Sequence, residues 1–312
     1  MPNYQGVWSL SAQYQNRTGW PSPPSIALHG AAIGDGTIIG RVFIETTGNA
    51  TDFGTMAQGS GYYQGTVSNK VRGIFAGGAG FNDVIQFVTF SDGGNTTDFG
   101  NLTSATSNSY PGGVSDATRG VINGIGGQTN VLDFITTATT GNALDFGDLT
   151  EARQGSSTAN STTRGVFAGG ENSSNQTSNV IDYITIQSTG NATDFGDLTK
   201  PSKMRSGGAT STTRGVFSEG SFNTNDNTLS YITIASTGNA SDFGDLTTSP
   251  SWTSMTSSNV RGIRFGGLVS GLAENTIDYF TIASTGNAVD FGDLTAALYR
   301  TSATSNSHGG IA

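Results

Sequence analysis

The chain has 312 residues, with 46 Gly, no Cys, only 12% charged residues and a formal net charge of −9. Without Cys there is no disulfide framework, thiolate metal site or Cys nucleophile, and the acidic balance argues against nucleic acid and anionic membrane as partners. No apolar run reaches the roughly 18 residues of a membrane helix, and MPNYQGVWSLSAQYQ lacks the basic and apolar regions of a signal peptide, so no secretory route is expected.

Residues 1–24 read as a leader. They carry Tyr4, Trp8, Tyr14 and Trp20, end in WPSPP, and hold too little apolar surface to fold alone. Such a segment is expected to anchor on a partner protein, on a second copy of the chain, or on the body of its own fold.

Residues 25–312 are repetitive. A segment close to TGNATDFGDLT recurs with its Phe at Phe53, Phe99, Phe146, Phe195, Phe243 and Phe291. Each of the last five Phe is preceded by an Arg-Gly that opens an apolar run, at Arg72, Arg119, Arg164, Arg214 and Arg261. Twelve residues before each of those Phe stands another aromatic: Phe87, Phe134, Tyr183, Tyr231 or Tyr279. The pieces RGVFAGG, IDYITI and ATDFGDL alternate apolar and polar residues with period two and read as strands. STGN between the last two suits a hairpin turn with positive φ at Gly-Asn. The Ser/Thr/Gly-rich stretch after DFGDLT leaves room for one more short strand, such as residues 204–211. Four strands in about 48 residues without helical periodicity is the measure of a propeller blade. The expected fold is all-β: a six-bladed β-propeller of four-stranded blades.

Ring closure follows from the ends. His29-Gly30 and His308-Gly309 are each read as occupants of the Arg-Gly slot, giving seven copies of that strand against six of the DFG strand. The C-terminal segment, residues 299–312, is therefore expected to pair beside the strand starting near Ile26 in a composite first blade. A second register, with Gly6-Val7-Trp8 as the first copy and residues 15–37 as an insertion, is less regular.

The glycine pair followed by two spaced aromatics resembles the kelch repeat, with Phe where kelch has Trp and one Gly of the pair lost at Glu219-Gly220. The consensus RGVFAGG…IDYITIASTGNATDFGDLT, with a leader like GVWSLSAQYQ…WP, is similar to repeat proteins of tailed bacteriophages, cyanophages especially. That resemblance implies a virion component: a tail fibre, capsid decoration or host-recognition module located in the virion, with other virion proteins and host-surface glycan as partners and homo-oligomerisation as a further option. Two other functions stay open, a glycan-hydrolysing propeller and an intracellular kelch-like adaptor.

The chemistry-bearing residues favour a non-enzymatic reading without cofactor or metal. The repeated Asp52, Asp98, Asp145, Asp194, Asp242 and Asp290 could begin a Ca²⁺ shell with the second DFGD carboxylate. They are better read as structural, accepting backbone N–H bonds or meeting the repeated Arg once per unit. D-x-G partly resembles the sialidase Asp box, whose preceding Ser is usually Ala here. The irregular segments after DFGDLT carry Arg153, Arg205, Tyr299 and Arg300, but the three arginines stand 7, 10 and 9 residues after the DFG Phe, which gives no sign of convergence. These four, with Trp20 and Trp252 as stacking anchors, are the candidate ligand-binding residues. The amide- and hydroxyl-rich segments ENSSNQTSN and SFNTNDNT are candidate rim loops.

Overall fold

The computed structural model describes residues 23–30, 32–33, 37–57, 62–78, 82–106, 110–203, 207–220 and 226–311. The leader, with Trp20, lies outside them apart from Pro23 and Pro24, and so does Arg205. Among the described residues the strands form six four-stranded antiparallel sheets, a six-bladed β-propeller.

In blade 4, Ser157–Asn160 is the innermost strand, followed outward by Arg164–Glu171, Thr177–Thr185 and Thr193–Asp197. The other blades repeat this order. Inner strands are short and built from Gly, Ser, Thr and other small residues, because six of them converge on one axis. Blade 1 is composite, as expected: Ser302–Ser305 pairs with Ile26–Gly30, matching Ala27 with Ser305 and Gly30 with Ser302. Asn306 ties the two chain ends further, its Oδ1 accepting from Ile26 N–H at 2.8 Å and its Nδ2 donating to Pro24 C=O at 3.2 Å.

The register corrects one expectation. Ile26 pairs with Phe43 as Arg72 pairs with Thr89, so Ile26, not His29, stands in the Arg slot of blade 1. His29 lies three residues further along, where blades 2, 4 and 5 have Phe75, Phe167 and Phe217. The pairing rule is set by the period-two burial of the strand, and a match on His-Gly alone misplaces it.

The hydrophobic core is divided among the six gaps between blades. Each cluster joins neighbouring blades and holds one DFG Phe: Phe53, Phe99, Phe146, Phe195, Phe243 or Phe291. Each Phe sits at a bulge that re-aims the outer strand, as where Asp182 faces Asp194 but Ile181 faces Gly196. Burying each ring contributes on the order of 2–3 kcal/mol to stability.

The glycine after each Phe performs a second task. The hairpin tip of the next blade presses its own Gly against it, so closely that a Cβ on Gly147 would lie 2.5 Å from the Gly190 carbonyl oxygen. Three hydrogen bonds surround this contact: Gly190 N–H to Phe146 C=O at 2.8 Å, Ala192 N–H to Asp148 C=O at 2.7 Å, and Asp148 N–H to Asn191 Oδ1 at 3.1 Å. The same latch recurs in every gap, including Gly292 against Gly48 between blades 6 and 1. The tight turn itself is made earlier, by Thr185–Ser188 with Ser188 N–H on Thr185 C=O. The Gly-Asn pair expected to form the hairpin turn therefore serves the neighbouring blade instead.

Gly147→Ala is expected to lower stability by about 2 kcal/mol, a fall of about 5 °C in Tm by calorimetry. Truncation after Thr301 removes the inner strand of blade 1 and is expected to lower Tm by about 10 °C or more; an unchanged melting curve would contradict closure by the C-terminal strand.

Candidate functional site at the channel mouth

Strand direction gives the ring two unlike faces. One carries the turns from inner to second strand and the latch hairpins. The opposite face carries the loops between second and third strands and the connections from each outer strand to the next inner strand.

On this second face, a residue two before the inner strand, or three before it in blade 3, reaches the rim of the central channel. In blades 2, 3, 4, 6 and 1 those residues are Tyr63, Tyr110, Gly155, Trp252 and Arg300. Each is placed by the start of the strand that follows it. Backbone bonds link successive blades there: Gly155 N–H to Tyr110 C=O at 2.9 Å, Arg300 N–H to Trp252 C=O at 2.8 Å, and Tyr63 N–H to Arg300 C=O at 3.3 Å.

Four of these five residues adopt left-handed backbone, with φ of 59° at Tyr63, 68° at Gly155, 57° at Trp252 and 59° at Arg300. Gly does this at no steric cost, whereas a large side chain costs on the order of 1 kcal/mol or more. Three blades nonetheless hold Tyr, Trp or Arg there.

The side chains form one continuous stack. Tyr63 meets Tyr110 edge-on at 4.6 Å between centroids, Trp252 lies flat on Tyr299 at 5.7 Å and 16°, and the Arg300 guanidinium sits 4.0 Å from the Trp252 centroid and 5.0 Å from Tyr62. Trp252, Tyr299, Arg300, Tyr62 and Tyr110 are half-buried, leaving part of each at the surface. Beneath this collar the channel narrows to spaces of about 50 Å³, lined by Thr, Ser and Gly of the inner strands, enough for a few waters only. A ligand larger than that rests on the collar.

Of the residues expected to bind ligand, Trp252, Tyr299 and Arg300 are thus brought together. Trp20 and Arg205 lie outside the described residues. Arg153 is corrected: it is fully buried, pairs with the equally buried Asp182 at 2.8 Å and with Glu151 at 3.2 Å, and donates to Phe167 C=O. Tyr62, Tyr63 and Tyr110 were not apparent from the sequence. The signal lies in the opposite direction of counting: Tyr63, Tyr110, Gly155, Arg205 and Trp252 each stand nine residues before the next Arg-Gly. Counting forward from Phe hides this, because the outer-to-inner connection varies in length.

The structural Arg and Asp positions also differ from expectation. Arg72, Arg119, Arg164, Arg214 and Arg261 do not meet the DFGD Asp. Each lies over the aromatic of its own blade, 4.3–4.6 Å from the centroid, and donates to a backbone carbonyl of the next, as Arg164 does to Ile234. Asp52, Asp98, Asp145, Asp194, Asp242 and Asp290 are exposed on the outer strands, and none is in an ion pair among the described residues. In three gaps the carboxylate that ties one unit to the next is the buried Asp before the aromatic: Asp133, Asp182 and Asp278 accept from the hydroxyls of Thr103, Thr150 and Thr247, each the Thr that ends the preceding unit's DFGDLT-type motif. Burial pushes the Asp133 carboxyl up, with Thr103 N–H and O–H opposing that shift.

The other channel end is closed by the chain itself. After Ser305 the C-terminus turns onto the axis, where Gly309–Ile311 forms a buried 3-10 turn. His308 is therefore not in an Arg slot. Its Nδ1 lies 3.1 Å from Asn160 Nδ2 and its Nε2 2.9 Å from Ser68 Oγ, on inner strands of two blades. His29 is buried against Phe265, with no hydrogen-bond partner for either ring nitrogen among the described residues.

Comparison with protein-family models finds no match, and comparison with curated proteins finds none either.

Burial holds both imidazoles down, each to about 4 from 6.5. The unfolded chain gains protons below about pH 6.5 that the native ring refuses until about 4. Stability is therefore complete above 6.5 and falls as pH drops through that window, by about 3 kcal/mol per histidine. Thermal melts between pH 7 and 4.5 are expected to show the decline, roughly halved in His29→Leu.

Proposed function

We propose that this chain is a non-enzymatic binding propeller, displayed on a tailed-phage particle, that holds a glycan or protein surface on the aromatic and arginine collar of its channel mouth. The observation that carries the binding reading is the backbone of that collar. Tyr63, Trp252 and Arg300 occupy left-handed positions that Gly155 fills without strain, and strained large side chains around a concave rim mark a recognition surface better than a scaffold.

Stacked indole and phenol rings suit the apolar face of a sugar, and their polar edges suit its hydroxyls. Arg153 does not contribute to hydrolysis in this reading, because its charge is engaged by Asp182 and Glu151. The virion placement rests on the resemblance of the repeat consensus to phage repeat proteins. Attachment would use the face opposite the collar, where the chain enters the fold at Pro23 beside Lys70, Asn306 and Ile311.

The reading is tested by applying the protein to an array of host-surface glycans and measuring affinity for the hits. Binding is expected, with Trp252→Ala weakening it by about tenfold or more while leaving the melting curve near that of the parent. Absence of any binding would overturn the collar reading, and release of reducing ends from a bound glycan would replace it with hydrolysis. For placement, mass spectrometry of purified particles is expected to find the chain, and its absence there would remove the virion assignment.

A further inference from the structure

We propose that the collar selects an acidic saccharide, with Arg300 as the group that binds its carboxylate; this rests on the collar being a glycan site. The guanidinium of Arg300 lies over four rings, with Cζ 4.0 Å from the Trp252 centroid, 5.0 Å from Tyr62, 5.6 Å from Tyr63 and 5.8 Å from Tyr299. Rings attract the charge of a guanidinium but supply no oxygen acceptor for its five N–H donors.

In the two fully buried arginines those donors are matched. Arg153 has Asp182, Glu151 and a backbone carbonyl, and Arg264 has Asp278, Glu274 and the Gly266 carbonyl. Arg300 has no carboxylate and no hydrogen-bond acceptor among the described residues, and its Nε is buried without a partner. The acids of the adjoining blade 6, Glu274 and Asp278, are held by Arg264, and those of blade 4 across the ring, Glu151 and Asp182, by Arg153.

A buried, unmatched donor on a charged group is costly unless a ligand supplies the acceptor. A carboxylate matches the planar fork in two parallel bonds. The flanking Trp252 and Tyr110 supply stacking surface for the ring that bears it. A uronic acid or sialic acid offers both features on one residue, which a neutral sugar does not. The chain's net charge of −9 does not oppose this, because the DFGD carboxylates lie on the outer strands away from the axis.

The test uses trigalacturonate and 3′-sialyllactose as probes, each beside its methyl ester, by isothermal titration with the full chain. At least one acid is expected to bind, with affinity falling about tenfold or more on esterification and on Arg300→Gln, and partly kept by Arg300→Lys. Affinity is also expected to fall as NaCl rises from 50 to 500 mM. Matching melting curves for the two variants and the parent separate loss of binding from loss of fold. Equal binding of acid and ester, or binding indifferent to Arg300→Gln, would overturn the inference while leaving the collar as a neutral-glycan site. Failure of both acids to bind overturns it as well, and the neutral members of the glycan array then decide separately whether the collar binds sugar at all.

Discussion

Everything in this ring depends on one backbone contact, the seating of a hairpin-tip glycine against the glycine of the preceding blade's DFG. A propeller has no single central core; its apolar side chains fill six separate gaps between neighbouring blades. The Gly-Gly approach lets two backbones exchange hydrogen bonds at the periphery, where Gly147 and Gly190 meet. The DFG Phe enters the gap just inside that latch. Because the contact excludes a Cβ on the DFG glycine, its geometry is the same in every blade, and the sequence that makes it repeats almost unchanged. The arginine adds a second tie on the same edge: stacked on its own blade's aromatic, it donates to the next blade's carbonyl.

Blade 1 indicates which ties tolerate loss. Ile26 replaces the arginine, and Arg41 replaces the aromatic, lying 5.0 Å from the centroid of Phe43 and 5.9 Å from that of Phe53. The cation has moved one strand outward, yet the Gly54–Gly94 latch to blade 2 persists. The stacked cation is thus adjustable, worth about 0.5–1 kcal/mol at a partly exposed site, whereas the latch glycines have no substitute. Blade 5 makes a similar exchange inside: Ser230 stands where blades 3, 4 and 6 have a buried Asp, and Glu219, in place of a glycine of the pair, accepts from Thr199 instead.

This hierarchy accounts for what could be read from the sequence. Strand count, blade count and the composite first blade follow from motifs whose side chains or glycines have one geometric option, so Phe53 to Phe291 mark the ring directly. Interactions with several equivalent solutions were not legible. An arginine beside an Asp-rich strand has two attractive partners, a carboxylate and a carbonyl, and only the stacking on Tyr183 or its equivalents decides for the carbonyl. Arg153 and Arg300 look alike in sequence, and they differ because one reaches the Asp182 of its own blade while the other sits on the axis. The collar is legible only in part for a related reason: Trp252, Tyr299 and Arg300 stand out singly in the sequence, but collar residues share a position and not a side chain, so only the register of the inner strand unites Tyr63, Trp252 and Arg300.

The two channel ends, finally, are unlike in a way that bears on use. At the latch face the C-terminus fills the axis with His308 and Gly309–Ile311, bonded to inner strands on several sides. That closure blocks passage and stiffens the inner strands from below, since Ser68, Asn160 and Thr210 of three blades all bond to it. A rim held by such a floor can keep large residues in left-handed backbone, because relaxing any one of them would pull on the hydrogen-bonded ring through Arg300, Trp252 and Tyr63. The plug and the collar are in this sense one device: the floor supplies the rigidity, and the strained aromatic rim presents its surface outward, to a ligand that rests on the ring rather than passing through it.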